Sequence, residues 1–98
     1  MTGPVEDTAI VAEILRQTAA RGAGKSICPS EVARALAGAG GGGTGPWRPL
    51  LGRVRAVAER LAREGRVQIL RKGKPLAPGE APHGVIRLRA APAGEGPA

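Results

Sequence analysis

The chain of 98 residues contains no phenylalanine, no tyrosine and no asparagine, and carries one tryptophan (Trp47), one cysteine (Cys28) and one histidine (His83). Each shortage excludes something. Without Phe and Tyr there is no aromatic platform for stacking the bases of a single strand, and the core must be built from Leu, Ile, Val and Ala. Without Asn, and with Gln17 and Gln68 both outside the third apolar-periodic segment, the amide-to-adenine pairing is unavailable there. A lone cysteine forms no internal disulfide and, with one histidine, completes no zinc site. No run approaches the roughly 18 apolar residues of a membrane span. The N-terminus, MTGPVEDT, lacks the basic and apolar regions of a secretion signal. A cytoplasmic, metal-free, cofactor-free protein with no membrane contact is expected. No acid–base pair or nucleophile constellation stands out, which argues against an enzyme.

What is abundant is positive charge, and it is unevenly placed. The formal net charge is +7, yet the segment from Trp47 to Arg89 holds eleven Arg or Lys against three Glu, or +8, and the remainder sums to −1. Basic charge concentrated in one half of a small domain points to a polyanion, nucleic acid foremost. The plainer reading is charge that keeps a small domain soluble.

Residues 24–26, Gly-Lys-Ser, invite comparison with a nucleotide-phosphate loop, G-x-x-x-x-G-K-[ST]. Ala19 stands where the first glycine belongs. A helical stripe, Ile10, Val11, Ile14, Leu15, precedes the motif instead of a strand, and Pro29 prevents a helix from running on from Ser26. A glycine-rich turn between a helix and a short strand is expected instead.

The first helix is expected to start at Asp7 or Thr8 as N-cap and to stop at Gly22 and Gly24. A short strand at Ser26–Ile27 follows. Pro29 suits the first turn of a second helix with Glu31 favourably placed there and Val32, Ala35 and Leu36 facing inward. The glycine run at 38–45 ends it as a flexible connection. A third helix spans about Pro46 to Glu64, with Trp47, Leu50, Leu51, Val54, Val57, Ala58, Leu61 and Ala62 on one arc and Gly65 as its stop. Alternation at Val67 and Ile69, then at Ile86 and Leu88, predicts two strands joined by a basic loop. Residues 1–6 and 90–98 are expected to be disordered, leaving a domain at 7–89.

This order predicts an α+β fold, a small winged helix-turn-helix with three helices, a short strand and a C-terminal two-stranded hairpin wing. The stretches RGAGKSICPSEVARAL, WRPLLGRVRAVAERLAREGRVQILRKGKPL and GVIRLR resemble an uncharacterised bacterial family, domain of unknown function 3253, over about residues 7 to 89. The resemblance implies a winged-helix-like domain and carries no assigned activity.

On that scaffold the third helix would approach the major groove of double-stranded DNA and the wing would reach backbone. Opposite the core arc lie Pro49, Gly52, Ala56 and Arg63, flanked by Arg48 and Arg55 on one side and Arg53 and Arg60 on the other. The wing offers Arg71, Lys72 and Lys74, with Gly73 permitting a tight turn, and Arg87 and Arg89 behind them. Arg34 and Ser30 on the second helix are further phosphate candidates, although Ser30 is also placed to serve its own helix end. Cys28 reads as a small residue at a helix start, with a redox role as the lesser reading, and His83 as an exposed bystander. The leading expectation is a non-enzymatic DNA-binding domain, with a transcriptional role in view. The alternative is a protein-interaction or homodimer module on the same scaffold.

Overall fold

Ile10, Ile14 and Thr18 recur every fourth residue, and all three are buried along one side of α1, Asp7–Arg21. Burying a threonine is tolerable because its hydroxyl donates to the Ile14 carbonyl at 2.9 Å, one turn back. The computed structural model describes residues 6–22, 24–37, 46–77, 80 and 84–91. The expected mobile connection at 38–45, His83 and most of the two expected disordered ends lie outside the described residues.

The start of α1 differs from expectation. Neither Asp7 nor Thr8 is the N-cap: Glu6 is, through its extended backbone, whose carbonyl accepts from Ala9 and Ile10. Asp7 is thereby the first helical residue, with its carboxylate in the turn where a negative charge suits the helix dipole. Gly22, at φ 90°, turns the chain out of the helix.

Strand β1, Ser26–Ile27, follows, and then α2, Pro29–Ala37. Cys28 occupies the cap position, with its N–H donating to the Glu31 carboxylate at 2.8 Å, the glutamate half of a capping box. The buried stripe of α2 is Pro29, Val32 and Ala33, with Leu36 partly buried against the core. Ala35, expected to face inward, is exposed. The stripe begins one turn earlier than expected, at Pro29, so the i, i+3, i+4, i+7 set runs through Ala33 instead.

The third helix, α3, spans Arg48–Arg63, slightly shorter at each end than expected, with Pro49 in its first turn where no intrahelical N–H is needed. Val54, Val57, Ala58 and Leu61 are buried, and Trp47, Leu50, Leu51 and Ala62 pack partly buried against them. The helix stops in a Schellman arrangement: Arg66 N–H donates to Leu61 O at 2.9 Å and Gly65 N–H to Ala62 O at 3.1 Å. Gly65 sits at φ 75°, which is why glycine stands there.

The chain then enters β2, Val67–Arg71, β3, Lys74–Pro75, and β4, Arg87–Ala90. With β1 they make a four-stranded antiparallel sheet in the order β1-β4-β2-β3. The expected two-strand hairpin is therefore richer than foreseen: β2 pairs with β4 on one side and with the additional β3 on the other. Lys72 and Gly73, at φ 53° and 80°, form the two-residue turn between β2 and β3 with both residues left-handed, as a type I′ hairpin requires. Ala90, expected in the tail, pairs with Val67. Val67, Ile69, Ile86 and Leu88, with Ile27 from β1, join the helical residues in one core. The fold is α+β, and its order is compatible with a winged helix.

Candidate nucleic-acid interface

The packing of α3 decides what its other side can do. With Val54, Val57, Ala58 and Leu61 turned inward, Pro49, Gly52, Ala56 and Arg63 are exposed. A Cβ added at Gly52 would meet nothing within 4 Å. From Pro49 to Ala56 the strip thus carries no long side chain, and Arg63 closes its far end. At 100° per residue, Arg48 and Arg55 edge it on one side and Arg53 and Arg60 on the other, each pair two turns apart.

The arginines are held differently. Arg55 Nη1 donates to the Gly84 carbonyl at 3.1 Å, tying the middle of α3 to the segment entering β4. Arg48 lies over the Trp47 ring with 4.9 Å to its centroid, and Arg34, from the last turn of α2, lies 4.6 Å from the same centroid. Such cation–π contacts contribute about 0.5–1 kcal/mol each at exposed sites. Here they link the end of α2 to the start of α3. On the opposite flank, Arg53 Nη2 donates to Asp7 Oδ1 at 2.7 Å. Arg60 is exposed and has no ion pair among the described residues. Arg63 pairs at 3.4 Å with Glu59, one turn back.

The wing residues divide similarly. Lys72 and Lys74 are exposed at the β2–β3 turn, while Arg71 is half-buried and bonded to Glu80 at 3.1 Å. Arg87 and Arg89 lie on β4, opposite Leu70 and Gln68 of β2. They occupy the sheet face turned away from the core: Arg87 donates to Ser26 Oγ at 2.7 Å and to its carbonyl at 2.9 Å, and Arg89 donates to Gln68 Oε1. Ser30 is a half-buried residue whose hydroxyl donates to Cys28 Sγ at 3.1 Å, so it serves its own helix start. It is not brought to the arginines of α3, whereas Arg34 is, through Trp47.

The Gly-Lys-Ser stretch is a turn from α1 into β1. Gly24 is at φ 84°, and the Ser26 hydroxyl is engaged by Arg87. No phosphate cradle opens a helix there. Among the described residues no group of three or more His, Cys, Asp or Glu could hold a metal ion, and no helix is long and apolar enough to cross a membrane.

Two features of the site escaped sequence reasoning. Asp7 stands 46 positions before its partner Arg53, and no spacing rule links them. Trp47 was legible as a core residue, and its second use as a seat for two guanidiniums had no signal beyond the Trp-Arg neighbours in the sequence.

An α+β domain with a bare-centred, arginine-edged helix and a lysine-tipped hairpin is the class of protein these observations define. No curated protein matches the chain. It belongs to the family described as protein of unknown function (DUF3253), which matches residues 7–91.

Proposed function

We propose that this chain is a non-enzymatic winged-helix domain that binds double-stranded DNA, chiefly through its phosphates. The outer face of α3 lies toward the major groove and the Lys72–Gly73 turn reaches the flanking backbone. The observation that carries this reading is the bare strip of Pro49, Gly52 and Ala56 between two arginine pairs, on a helix whose opposite face is locked into the core. Small residues let a helix approach a groove closely, and arginines on both edges meet the phosphates on its two sides. Base contact, where it occurs, is arginine with guanine, because the helix carries no amide side chain.

The test is anisotropy of a labelled duplex at several salt concentrations, with an acidic protein as competitor control. If Arg48, Arg53, Arg55, Arg60, Lys72 and Lys74 each reach a phosphate, the slope of log affinity against log salt is about −5, from roughly −0.9 per contact. Salt-independent binding, or none at low salt, contradicts the reading.

The second reading is a protein-interaction module using the same strip. Two copies apposed through it would bring like-charged arginines together, so the reading narrows to a partner with an acidic surface. A strictly monomeric chain in sedimentation across a concentration series agrees with this narrowing; self-association would restore the homodimer.

A further inference from the structure

Between the start of α1 and the outer edge of α3 lies an open cleft of about 220 Å³, lined by Asp7, Arg53, Ala56, Val57, Arg60 and Arg63. Since a liquid water takes roughly 30 Å³, the space holds several waters or one small anion. Arg53, Arg60 and Arg63 fall at i, i+7 and i+10 of α3, with Ala56 between them, so three guanidiniums share one strip with a small residue at its centre. Against three positive charges the lining supplies one negative charge, Asp7. Glu59, bonded to Arg63 from outside the lining, offsets part of this.

We propose that this cleft is a phosphate-oxyanion site and that Asp7 is its built-in competitor. For its natural ligand, a backbone phosphate, the inference rests on the DNA-binding reading; the oxyanion chemistry does not. The Asp7 carboxylate already sits on Arg53 at 2.7 Å, the charge-assisted geometry that a phosphate oxygen would adopt. Guanidiniums bind both groups through the same planar fork, so exchanging one for the other needs no rebuilding of the helix. The exchange is also cheap. Both partners are about half exposed, at 44% and 52%, and ion pairs at such positions contribute little. Asp7 opens α1, so movement of one side chain empties the place on Arg53 without disturbing the core. Arg60, without an ion pair among the described residues, then supplies a second fork from one side.

The experiment titrates inorganic phosphate, and separately a short duplex, into the full chain while following arginine Nε–H resonances. Phosphate is expected to shift Arg53, Arg60 and Arg63 and to leave Arg21 and Arg66 unmoved. Asp7→Asn is expected to tighten phosphate about three- to tenfold, the size of removing one nearby like charge from a partly exposed site. Glu6→Gln makes the same change of charge one residue away, outside the cleft, and is expected to do much less. Arg60→Ala is expected to abolish the shift at Arg53. Equal responses of all arginines to phosphate, or equal effects of Asp7→Asn and Glu6→Gln, would overturn the proposal. Phosphate binding in the cleft without duplex binding would support it and remove the DNA reading. Duplex binding with no phosphate response in the cleft would keep the DNA reading and overturn this site.

Discussion

The two long faces of α3 are built by opposite rules. The inner face is filled by Val54, Val57, Ala58 and Leu61, each buried in a core to which α1, α2 and the sheet also contribute. The outer face has almost no bulk at its centre from Pro49 to Ala56, and the charges along that stretch stand at the margins. A second contrast lies within the outer face. On one flank Arg48 lies against an indole ring and Arg55 donates to a backbone carbonyl. On the other flank Arg53 meets a carboxylate, which offsets its charge.

Changes on the inner face test the first contrast most severely. Leu61→Ala should cost about 2–5 kcal/mol of stability, read as a lower urea midpoint, because it leaves a cavity where several elements meet. Whatever fraction stays folded should bind duplex as before. On the outer face, Arg53→Ala with Arg55→Ala should reverse that pattern. Affinity for duplex at 50 mM salt should fall about a hundredfold and the salt slope become about two units shallower, from counterion release at two phosphates. Stability should drop by only about 1–2 kcal/mol, since neither side chain is part of the core.

The helix faces were the most legible part of this molecule, for a definite physical reason. Apolar side chains at helical spacing identify themselves by type, so the arc from Trp47 to Ala62 is legible in the sequence itself. Pro29 and the Ser26–Ile27 strand were legible because proline restricts where a helix begins, and Gly73 because the turn needs a left-handed residue. Alanine carries no such signal, and Ala33 and Ala35 could not be told apart by size or polarity. Strand β3 was missed because Lys74–Pro75 has no apolar alternation; it exists because the turn before it folds the chain back onto β2. The partners of the arginines were hidden for a different reason. Asp7 with Arg53, Arg55 with Gly84 and Arg87 with Ser26 are joined by tertiary folding across long separations, and local patterning does not encode them.

Smaller effects sharpen the account. Lys72→Asn removes one wing charge while installing Asn-Gly, a favoured pair for a type I′ turn. Its thermal midpoint should stay level or rise slightly, while the salt slope loses about one unit. A Lys72→Asn chain that binds duplex with unchanged slope would take the hairpin tip out of the interface. The smallest effect belongs to α1, away from the arginine-edged face. There the hydrogen bond from Arg16 holds the Glu13 carboxyl below its ordinary value, with desolvation opposing it and Gln17 adding a second donor. A carboxyl whose folded pKa is lowered contributes stability above its unfolded pKa and loses it as pH falls through the folded pKa. Acid titration of stability should therefore show a small loss below the usual glutamate range that Glu13→Gln lacks, with duplex affinity the same in both chains.

The most direct measurement is a titration of duplex DNA into the isotope-labelled chain at low and moderate salt, following backbone amides and arginine Nε–H groups together. The account predicts shifts at Arg48, Gly52, Arg53, Arg55, Ala56 and Lys72 that fade as salt rises, with Arg87 and Arg89 on the far sheet face unmoved. Shifts centred on Arg87 and Arg89, or none at low salt, would contradict it.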